Sequence, residues 1–277
     1  MSKKLTAYQK VMLARDTKRP KTEDFIQALF DDFIELKGDR LGKEDSGILG
    51  GIGWFHGRAV TVIGHRKGRT MEENVKYNFG MPEPEGYRKA LRLMEQAEKF
   101  GRPVITFIDT PGAYPGLEAE EHGQSIAIAT SIARMSSLRV PVIAIITGEG
   151  NSGGALAIAV ANSVIMYENA VYSILSPEGF ASILYKDASQ SANACEAMKM
   201  TAKDLYDFGI IDKIIKEPAG GMQEDWAGAF KDLDKVLTKE LRKYDSLSDI
   251  ALAEHRYQKF RRIDENYLLD ERKMGDR

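Results

Sequence analysis

The sequence has 277 residues, of which 43% are hydrophobic and 29% charged, and its net charge at pH 7 is −2. A chain of this size can bury a full core, in one large domain or two modest ones. Because no apolar run approaches the ~18 residues of a membrane span and no signal-peptide core follows the first residues, we expect a cytoplasmic protein without membrane contact. The charge balance also argues against general attraction to nucleic acid.

Cysteine and histidine content bears on metal binding. The single cysteine, Cys195, excludes an internal disulfide and a cysteine-based zinc ribbon within this chain. The four histidines are scattered along the sequence and do not form a ligand cluster. We therefore predict no metal site, and we interpret Cys195 as a small buried residue.

The N-terminal third begins with a basic arm, since the first 21 residues carry seven Lys or Arg and one Asp. Such an arm could contact phosphate or an acidic partner, and a frayed, solvated terminus is the simpler interpretation. Thr22 is a suitable cap for a helix whose aromatic and aliphatic positions recur through residue 34. Residues 48–55 and 59–64 then form two strand-like runs around a short turn, which predicts a hairpin.

The middle of the chain repeats one pattern. After a predicted helix over 87–100, a short apolar strand over 103–108 leads into a Gly/Pro loop and a helix over 118–135. A second strand over 140–146 leads into a glycine-rich loop and an Ala-rich helical run ending at 161. Parallel neighbouring strands would bring both loops to the same sheet edge, where α/β proteins bind ligands.

The second of these loops is the most informative stretch. Four glycines lie within seven residues, from Gly148 to Gly154, and Ser152 is expected to stand where the helix starts. Glycines remove the Cβ atoms that keep a ligand away from the backbone, and the first amides of a helix have no partner within it. Such a corner can bind negative oxygen. A glycine-rich turn needed only for tight packing is the alternative.

The C-terminal third starts with two short strands over 163–167 and 170–174. Ser176 then caps a third helix, and the strand over 210–215 closes the fold. A linker at 217–221 precedes a charged helical region over 223–262. Its apolar residues have heptad-like spacing and predict a docking face: Trp226, Phe230, Leu233, Leu237 and Leu241.

Four stretches resemble a known family. They are FGMPEPEGYRKALR at 79–92, FIDTPGAYPG at 107–116, GEGNSGGALAI at 148–158 and YSILSPEG at 172–179. From about residue 8 to residue 257 the sequence resembles the carboxyltransferase alpha subunits of bacterial acetyl-CoA carboxylase. Two features depart from the family: an additional N-terminal helical segment is absent, and Asn151 stands where many members have Gly. Asn tolerates turn conformations nearly as well as Gly.

The resemblance implies a crotonase-like α/β fold, a spiral of repeated β-β-α units with flanking N- and C-terminal helices. Residues 1–245 would form the CoA carboxyltransferase domain with its basic helical arm, and residues 246–277 a charged helical tail. The implied reaction moves a carboxyl group from carboxybiotin, presented by a biotin carrier protein, to acetyl-CoA. The product is malonyl-CoA for fatty acid synthesis.

The resemblance also implies how the site works. Biotin serves as the base, so the protein supplies position and preorganised amides at developing negative oxygen. The backbone amides of Gly153 and Gly154 are the expected oxyanion hole. The expected carboxybiotin pocket includes Gly112, Ala113, Gly150 and Ser152.

The implied assembly divides the work among several chains. The acyl-CoA hole and a four-cysteine zinc ribbon belong to a beta subunit, and ATP is used only by the biotin carboxylase component. This chain is then half of a site that is completed across an α–β interface, in an α2β2 complex. The faces around Phe25 and Trp226 are expected contact surfaces.

Three other interpretations stay open at the level of sequence. A stand-alone crotonase-type hydratase would need acids near the thioester, and Glu118 and Glu149 are available. A carboxyltransferase subunit of a biotin-dependent decarboxylase would run the reaction in reverse. A non-catalytic scaffold is also conceivable, but it would not need an open helix terminus at Gly153 and Gly154.

Overall fold

A computed structural model describes residues 5–263. Its framework is one mixed sheet of eight strands in the order β1-β2-β3-β4-β5-β6-β8, with β7 paired to β5. The strands are β1 (Asp31–Glu35), β2 (Ile48–Phe55), β3 (Arg58–His65), β4 (Val104–Thr110), β5 (Val142–Asn151), β6 (Ser163–Tyr167), β7 (Val171–Ser173) and β8 (Lys213–Ile215).

Helices fill the connections and cover the sheet. Those of the described region are α1 (Ala7–Ala14), α2 (Thr22–Leu29), α3 (Met71–Lys76), α4 (Pro84–Lys99), α5 (Leu117–Glu121), α6 (Gln124–Ser137), α7 (Ser152–Leu156), α8 (Pro177–Leu184), α9 (Ser191–Met198), α10 (Ala202–Asp207), α11 (Trp226–Lys243) and α12 (Asp249–Arg261).

The sheet has an antiparallel part and a parallel part. The predicted hairpin is confirmed as β2 and β3, which pair from Ile48 opposite His65 to Phe55 opposite Arg58. From β3 onward each neighbouring pair is parallel. Every residue of β4 and β5 is buried, as expected for strands with both faces covered. The two central strands therefore end next to each other, inside the protein and at the same edge of the sheet.

The basic arm is an ordered part of the fold from residue 5 on, so the prediction of a frayed terminus is wrong for these residues. Thr6 forms a capping box with Gln9. Val11 and Ala14 of α1 are buried in a cluster that also contains Cys195. Burial raises the pKa of the Cys195 thiol to about 11. The arm is held by apolar packing, and Cys195 is the small buried residue that the sequence predicts.

The helix predicted through residue 34 is wrong in its second half. The helix α2 ends at Leu29, and Phe30 is already extended, with φ −125°. The chain then forms β1, in which Ile34 lies opposite Ile52 of β2. The N-cap is Lys21 rather than Thr22, whose hydroxyl donates to the His65 carbonyl at 2.5 Å. Pairing with a distant strand has overridden the local helical periodicity.

Two predicted helices are shorter than expected. The run 118–135 is divided into α5 and α6 by Gly123, whose φ of +82° is left-handed. After the glycine corner, α7 covers only five residues. The Ala-rich residues that follow it are core residues rather than a continuation of this helix. The corner therefore opens a single short helical turn.

The faces predicted to contact a partner are core instead. Phe25 is fully buried, with its ring centroid 5.1 Å from that of Phe107 and 5.0 Å from that of Phe230. On α11, Leu233 and Leu241 are buried in the same cluster. For Phe25, Leu233 and Leu241 the contact-surface prediction is wrong, because α2 and α11 pack against each other.

The C-terminal region packs on the amino ends of the parallel strands. Arg256 of α12 is fully buried and donates to the carbonyls of Leu138 and Val140, at 2.8 and 3.1 Å, and to Asn162 Oδ1 at 2.6 Å. Leu252 of the same helix is also buried. The division at residue 245 stays a prediction, and residues 264–277 of the predicted tail lie outside the described residues.

Candidate active site

The glycine corner stands where β5 ends. Thr110 of β4 lies opposite Gly150 of β5, so the carboxyl ends of the two central strands are adjacent. The chain then turns sharply at Ser152, which has a φ of +62° although it is not a glycine. The turn leads directly into α7. Both predicted loops therefore meet at this edge of the sheet.

Gly154 is the point at which the two loops touch. A Cβ atom on Gly154 would stand 2.5 Å from the Ala113 nitrogen and 2.6 Å from the Gly112 carbonyl carbon. Only glycine fits so close to a neighbouring backbone. Gly112 has a φ of +147° and exchanges two hydrogen bonds with the Thr110 hydroxyl, at 2.7 and 3.0 Å. Gly112, Ala113 and Gly154 thus form one packed contact.

Ser152 and Gly153 lie on the other side of this contact, on the wall of an apolar pocket of about 530 Å³. A Cβ atom on Gly153 would meet only the Ile128 side chain, at 3.3 Å. The remaining wall comes from α7, β7, α8, α9 and the segment around α10, and its residues are predominantly apolar: Leu156, Tyr172, Ser173, Ile174, Phe180, Met198, Lys199, Leu205, Phe208 and Ile210.

Gly150 lies below the pocket rather than in its wall. It is a residue of β5 that pairs with β4 on one side and with Tyr172 of β7 on the other. Its missing side chain makes room for Tyr172, whose ring carbon Cδ2 would lie 3.0 Å from a Cβ atom there. The structure therefore brings Ser152 and Gly153 together at the pocket, and leaves Gly150 within the sheet.

A buried histidine, His65, contacts the glycine corner. His65 Nε2 lies 3.3 Å from the Gly154 carbonyl oxygen. Burial lowers the pKa of His65 to about 4, so the imidazole is neutral at pH 7. Because a carbonyl oxygen only accepts, Nε2 must carry the proton for this bond. The hydrogen bond fixes the peptide that follows Gly154.

Tyr87 of α4 borders the same contact. Its ring is fully buried and its hydroxyl has no hydrogen-bond partner among the described residues. The hydroxyl would lie 2.9 Å from a Cβ atom on Gly154. A buried hydroxyl without a hydrogen-bond partner typically costs ~1–3 kcal/mol of stability. The corner therefore contains an unpaired polar group of a kind that is rare in protein cores.

A layer of charges underlies the corner. Lys67 Nζ lies 2.7 Å from Glu149 Oε2 and 3.3 Å from Asp109 Oδ1, and Lys21 Nζ lies 3.6 Å from Asp109 Oδ2. Burial alone would raise the pKa of Asp109, but the two lysines lower it to about 2. Asp109 also accepts from the Glu149 amide at 3.1 Å. Asp109 is therefore ionised, and its hydrogen bond to the Glu149 amide holds the backbone that leads into the corner.

Sequence reasoning missed His65, Tyr87, the charge layer and most of the pocket wall. One signal was available: Asp109 and Glu149 each stand at the end of a strand predicted to be parallel to its neighbour. The lysines and pocket residues come from segments whose proximity depends on the complete topology. No local pattern identifies them.

The described residues contain no group of three or more His, Cys, Asp or Glu side chains placed to hold a metal ion. Within residues 5–263 there is also no helix that is both long and apolar enough to span a membrane.

Comparison with known proteins identifies the family. The family model described as acetyl co-enzyme A carboxylase carboxyltransferase-like matches residues 1–264. The chain belongs to this family. Relatives named acetyl-coenzyme A carboxylase carboxyl transferase subunit alpha include one from Listeria monocytogenes, 54% identical over 94% of this chain and 81% of its own length. Another, from Clostridium acetobutylicum, is 54% identical over 95% and 96% of the two chains. The predicted resemblance is confirmed, and the chain is an enzyme subunit of carboxyltransferase type.

Solved structures agree on the fold. A transcarboxylase 12S subunit superposes with a TM-score of 0.67 at 18% identity, over 84% of this chain and 44% of its own length. The beta subunit of geranyl-CoA carboxylase from P. aeruginosa superposes with a TM-score of 0.65 at 16% identity, over 91% and 46% of the two chains. The predicted crotonase-like fold is confirmed.

Proposed function

We propose that this chain is the alpha half of a carboxyltransferase that moves a carboxyl group from carboxybiotin, carried by a separate protein, to acetyl-CoA. The single observation that carries the proposal is the Gly153 backbone on the wall of an apolar pocket, at the edge where the two central parallel strands end. The family assignment gives the reaction its direction, toward malonyl-CoA for fatty acid synthesis.

The pocket suits the ring system of biotin. Its wall is mostly apolar, and Ser152, Ser173 and Lys199 are the polar exceptions beside the Gly153 backbone. A bicyclic group with one apolar body and one ureido edge matches such a wall. When bound, carboxybiotin supplies the carboxyl group, and negative charge develops on its ureido oxygen as CO2 leaves.

The amides of Gly153 and Gly154 remain the proposed oxyanion donors, and the two residues have different roles. Gly153 is half-buried on the pocket wall and is the more direct candidate. Gly154 is buried, and its close contact with Ala113 fixes how the turn is presented. Preorganised donors of this kind lower the barrier because they need no reorientation as charge develops.

The rest of the site is expected from partner chains. Apolar side chains near the corner are exposed, at 75% for Leu117, 71% for Ile126, 75% for Ile174 and 67% for Ile183. A beta subunit carrying the acyl-CoA hole and the zinc ribbon would cover them, in an α2β2 complex. The biotin carrier protein would deliver its group to the same edge, and the biotin carboxylase component would use the ATP.

Carboxyl transfer from malonyl-CoA to biocytin, the reverse reaction, tests the proposal. The rate is measured with this chain alone and with the complex co-purified with its zinc-ribbon partner. We expect activity only in the complex, because each chain supplies half of the pocket. A complex without transfer, combined with enoyl-CoA hydration by this chain alone, would overturn the proposal.

A further inference from the structure

Arg15 joins two elements of the site, the end of β5 and the start of α8. It lies at the C-cap of α1, in the N-terminal arm. Its Nε donates to Glu149 Oε1 at 2.7 Å, while Nη1 and Nη2 donate to the two carboxylate oxygens of Glu178, at 2.7 and 3.0 Å. Glu149 belongs to β5 just before the corner, and Glu178 to the first turn of α8.

The helix α8 forms one wall of the apolar pocket. Phe180 lines the pocket two positions after Glu178, and Ile174 lines it just before the helix. Of the eight residues of α8, only Pro177 and Ala181 are buried. The helix packs on α9 and on residues 188–190 with few fully buried side chains of its own, and the bidentate contact from Arg15 adds a directed link to β5.

The link joins a buried carboxylate to a partly exposed one, since the Glu178 side chain is 43% exposed. The Glu149 side chain is 4% exposed and is held from its other side by Lys67, so it is a rigid anchor. The hydrogen bonds from Arg15 lower the pKa of Glu178, which keeps that carboxylate charged at neutral pH. Planar guanidinium groups bind carboxylates with defined direction, which a lysine does not reproduce.

We propose that Arg15 is a positioning residue that clamps α8 to the end of β5 and so sets the shape of the pocket that receives biotin. The N-terminal arm is then part of the active-site architecture, and Arg15 binds carboxylates of this chain rather than a phosphate ligand. The role of the clamp in catalysis rests on the proposed function. The clamp itself rests only on the contacts of Arg15.

The test compares four variants in the complex with the beta subunit. They are Arg15→Gln, Arg15→Lys, Glu178→Ala and the double variant Arg15→Gln/Glu178→Ala. Arg134→Gln is the matched control, because Arg134 pairs with Glu98 at the opposite end of the strands. Four quantities are measured: KM for biocytin, kcat, KM for malonyl-CoA, and amide hydrogen exchange of residues 177–184.

We expect Arg15→Gln and Glu178→Ala each to raise KM for biocytin about tenfold, with kcat and the KM for malonyl-CoA changing less than about twofold. Exchange in 177–184 should become faster. The double variant should be no worse than Arg15→Gln, because both changes break one link. Arg15→Lys should recover part of the loss, and Arg134→Gln should match the wild type.

Two results would overturn the clamp. One is unchanged exchange of 177–184 in Arg15→Gln, and the other is an unchanged KM for biocytin although exchange is faster. A wild-type complex that transfers no carboxyl group would instead overturn the proposed function, and the catalytic role of Arg15 with it. The exchange data separate these failures, because they report on α8 whether or not the complex is active.

Discussion

A buried cation and an adjacent groove lie at each end of the parallel strands. The cation makes different contacts at the two ends, and the grooves have different linings. At the amino ends, Arg256 forms no ion pair with a described residue and donates to the carbonyls of Leu138 and Val140, which precede β5, and to Asn162 Oδ1. Burial lowers the pKa of Arg256 to about 10. The neighbouring groove, of about 680 Å³, has a mixed charged lining that includes Arg58, Glu98 and Asp245.

At the carboxyl ends, Lys67 is neutralised by two carboxylates, and the backbone above them is made of glycine. The groove beside it is apolar. At the amino ends the cation donates hydrogen bonds directly to backbone carbonyls. At the carboxyl ends it pairs with carboxylates, which in turn hold the backbone in place. Because the charges at the carboxyl ends pair with one another, they leave the glycine-rich backbone free to contact a ligand.

The largest expected effect comes from filling the contact between the two loops. A Val side chain at Gly154 would collide with the Ala113 nitrogen, which is backbone and cannot move without displacing the 112–113 loop. We expect carboxyl transfer by the complex to fall by a factor of at least ~10², and the chain to lose stability. A Gly154→Val complex with normal activity would remove the corner from the active site.

At the other end, Arg256→Met should damage stability without damaging the site. The substitution removes this donor from the Leu138 and Val140 carbonyls, while Asn162 Oδ1 still accepts from the Val142 amide at 3.1 Å. Urea unfolding should show a loss of about 2–4 kcal/mol in the free energy of unfolding. KM for biocytin in the folded complex should stay at the wild-type value, and a large rise in it would contradict the separation of the two ends.

His65 gives the corner a dependence on pH. Its folded pKa of about 4 lies below the value of 6.5 for an exposed imidazole, so the unfolded chain binds more protons between these values. Stability should therefore fall as pH drops through this window, by about 2 kcal/mol from pH 7 to pH 5. Burial raises the pKa of Asp45 to about 6, and that carboxyl contributes with the opposite sign.

The two contributions are separated by variants. Thermal unfolding at pH 7 and pH 5 should show a smaller loss of stability at pH 5 for His65→Phe than for the wild type. For Asp45→Asn the loss should be larger. Equal pH dependence in wild type and His65→Phe would contradict the description of His65 as a buried neutral group.

The smallest effect is expected at the pocket wall. Phe180→Ser removes an aromatic ring that lines the pocket, and should raise KM for biocytin about fivefold, which corresponds to ~1 kcal/mol of lost apolar contact. Phe180→Leu should retain most of the affinity. If both variants behave as the wild type in steady-state assays, the biotin group binds elsewhere.

Much of the fold follows from local pattern. The hairpin, the two central strands and the glycine corner are visible in the sequence because each depends on alternation, apolar runs or turn residues. The strand at 31–35 is not, because its helical periodicity is overridden by pairing with β2, and Ile34 lies opposite Ile52. In this segment, pairing with β2 outweighs the local preference for a helix.

The site was predictable only in part. Gly153 and Gly154 are marked by their own spacing, whereas Arg15 reaches carboxylates 134 and 163 positions away in the chain. Met198 and Ile210 likewise reach the pocket only through the order of the strands. Local chemistry identifies the corner, and the full topology is needed to identify what supports it.

The most direct measurement compares two glycine-to-alanine substitutions in the complex. Gly153→Ala adds a methyl group that meets the Ile128 side chain of α6 at 3.3 Å, closer than an ordinary contact, so that either this side chain or the glycine corner must shift. Gly53→Ala, in β2, adds one at ordinary contact distance, 3.4 Å from the Asp31 carbonyl oxygen. We predict that Gly153→Ala slows transfer from malonyl-CoA to biocytin at least about tenfold, while Gly53→Ala has the wild-type rate. Equal rates in the two folded complexes would contradict the assignment of the corner as the active site.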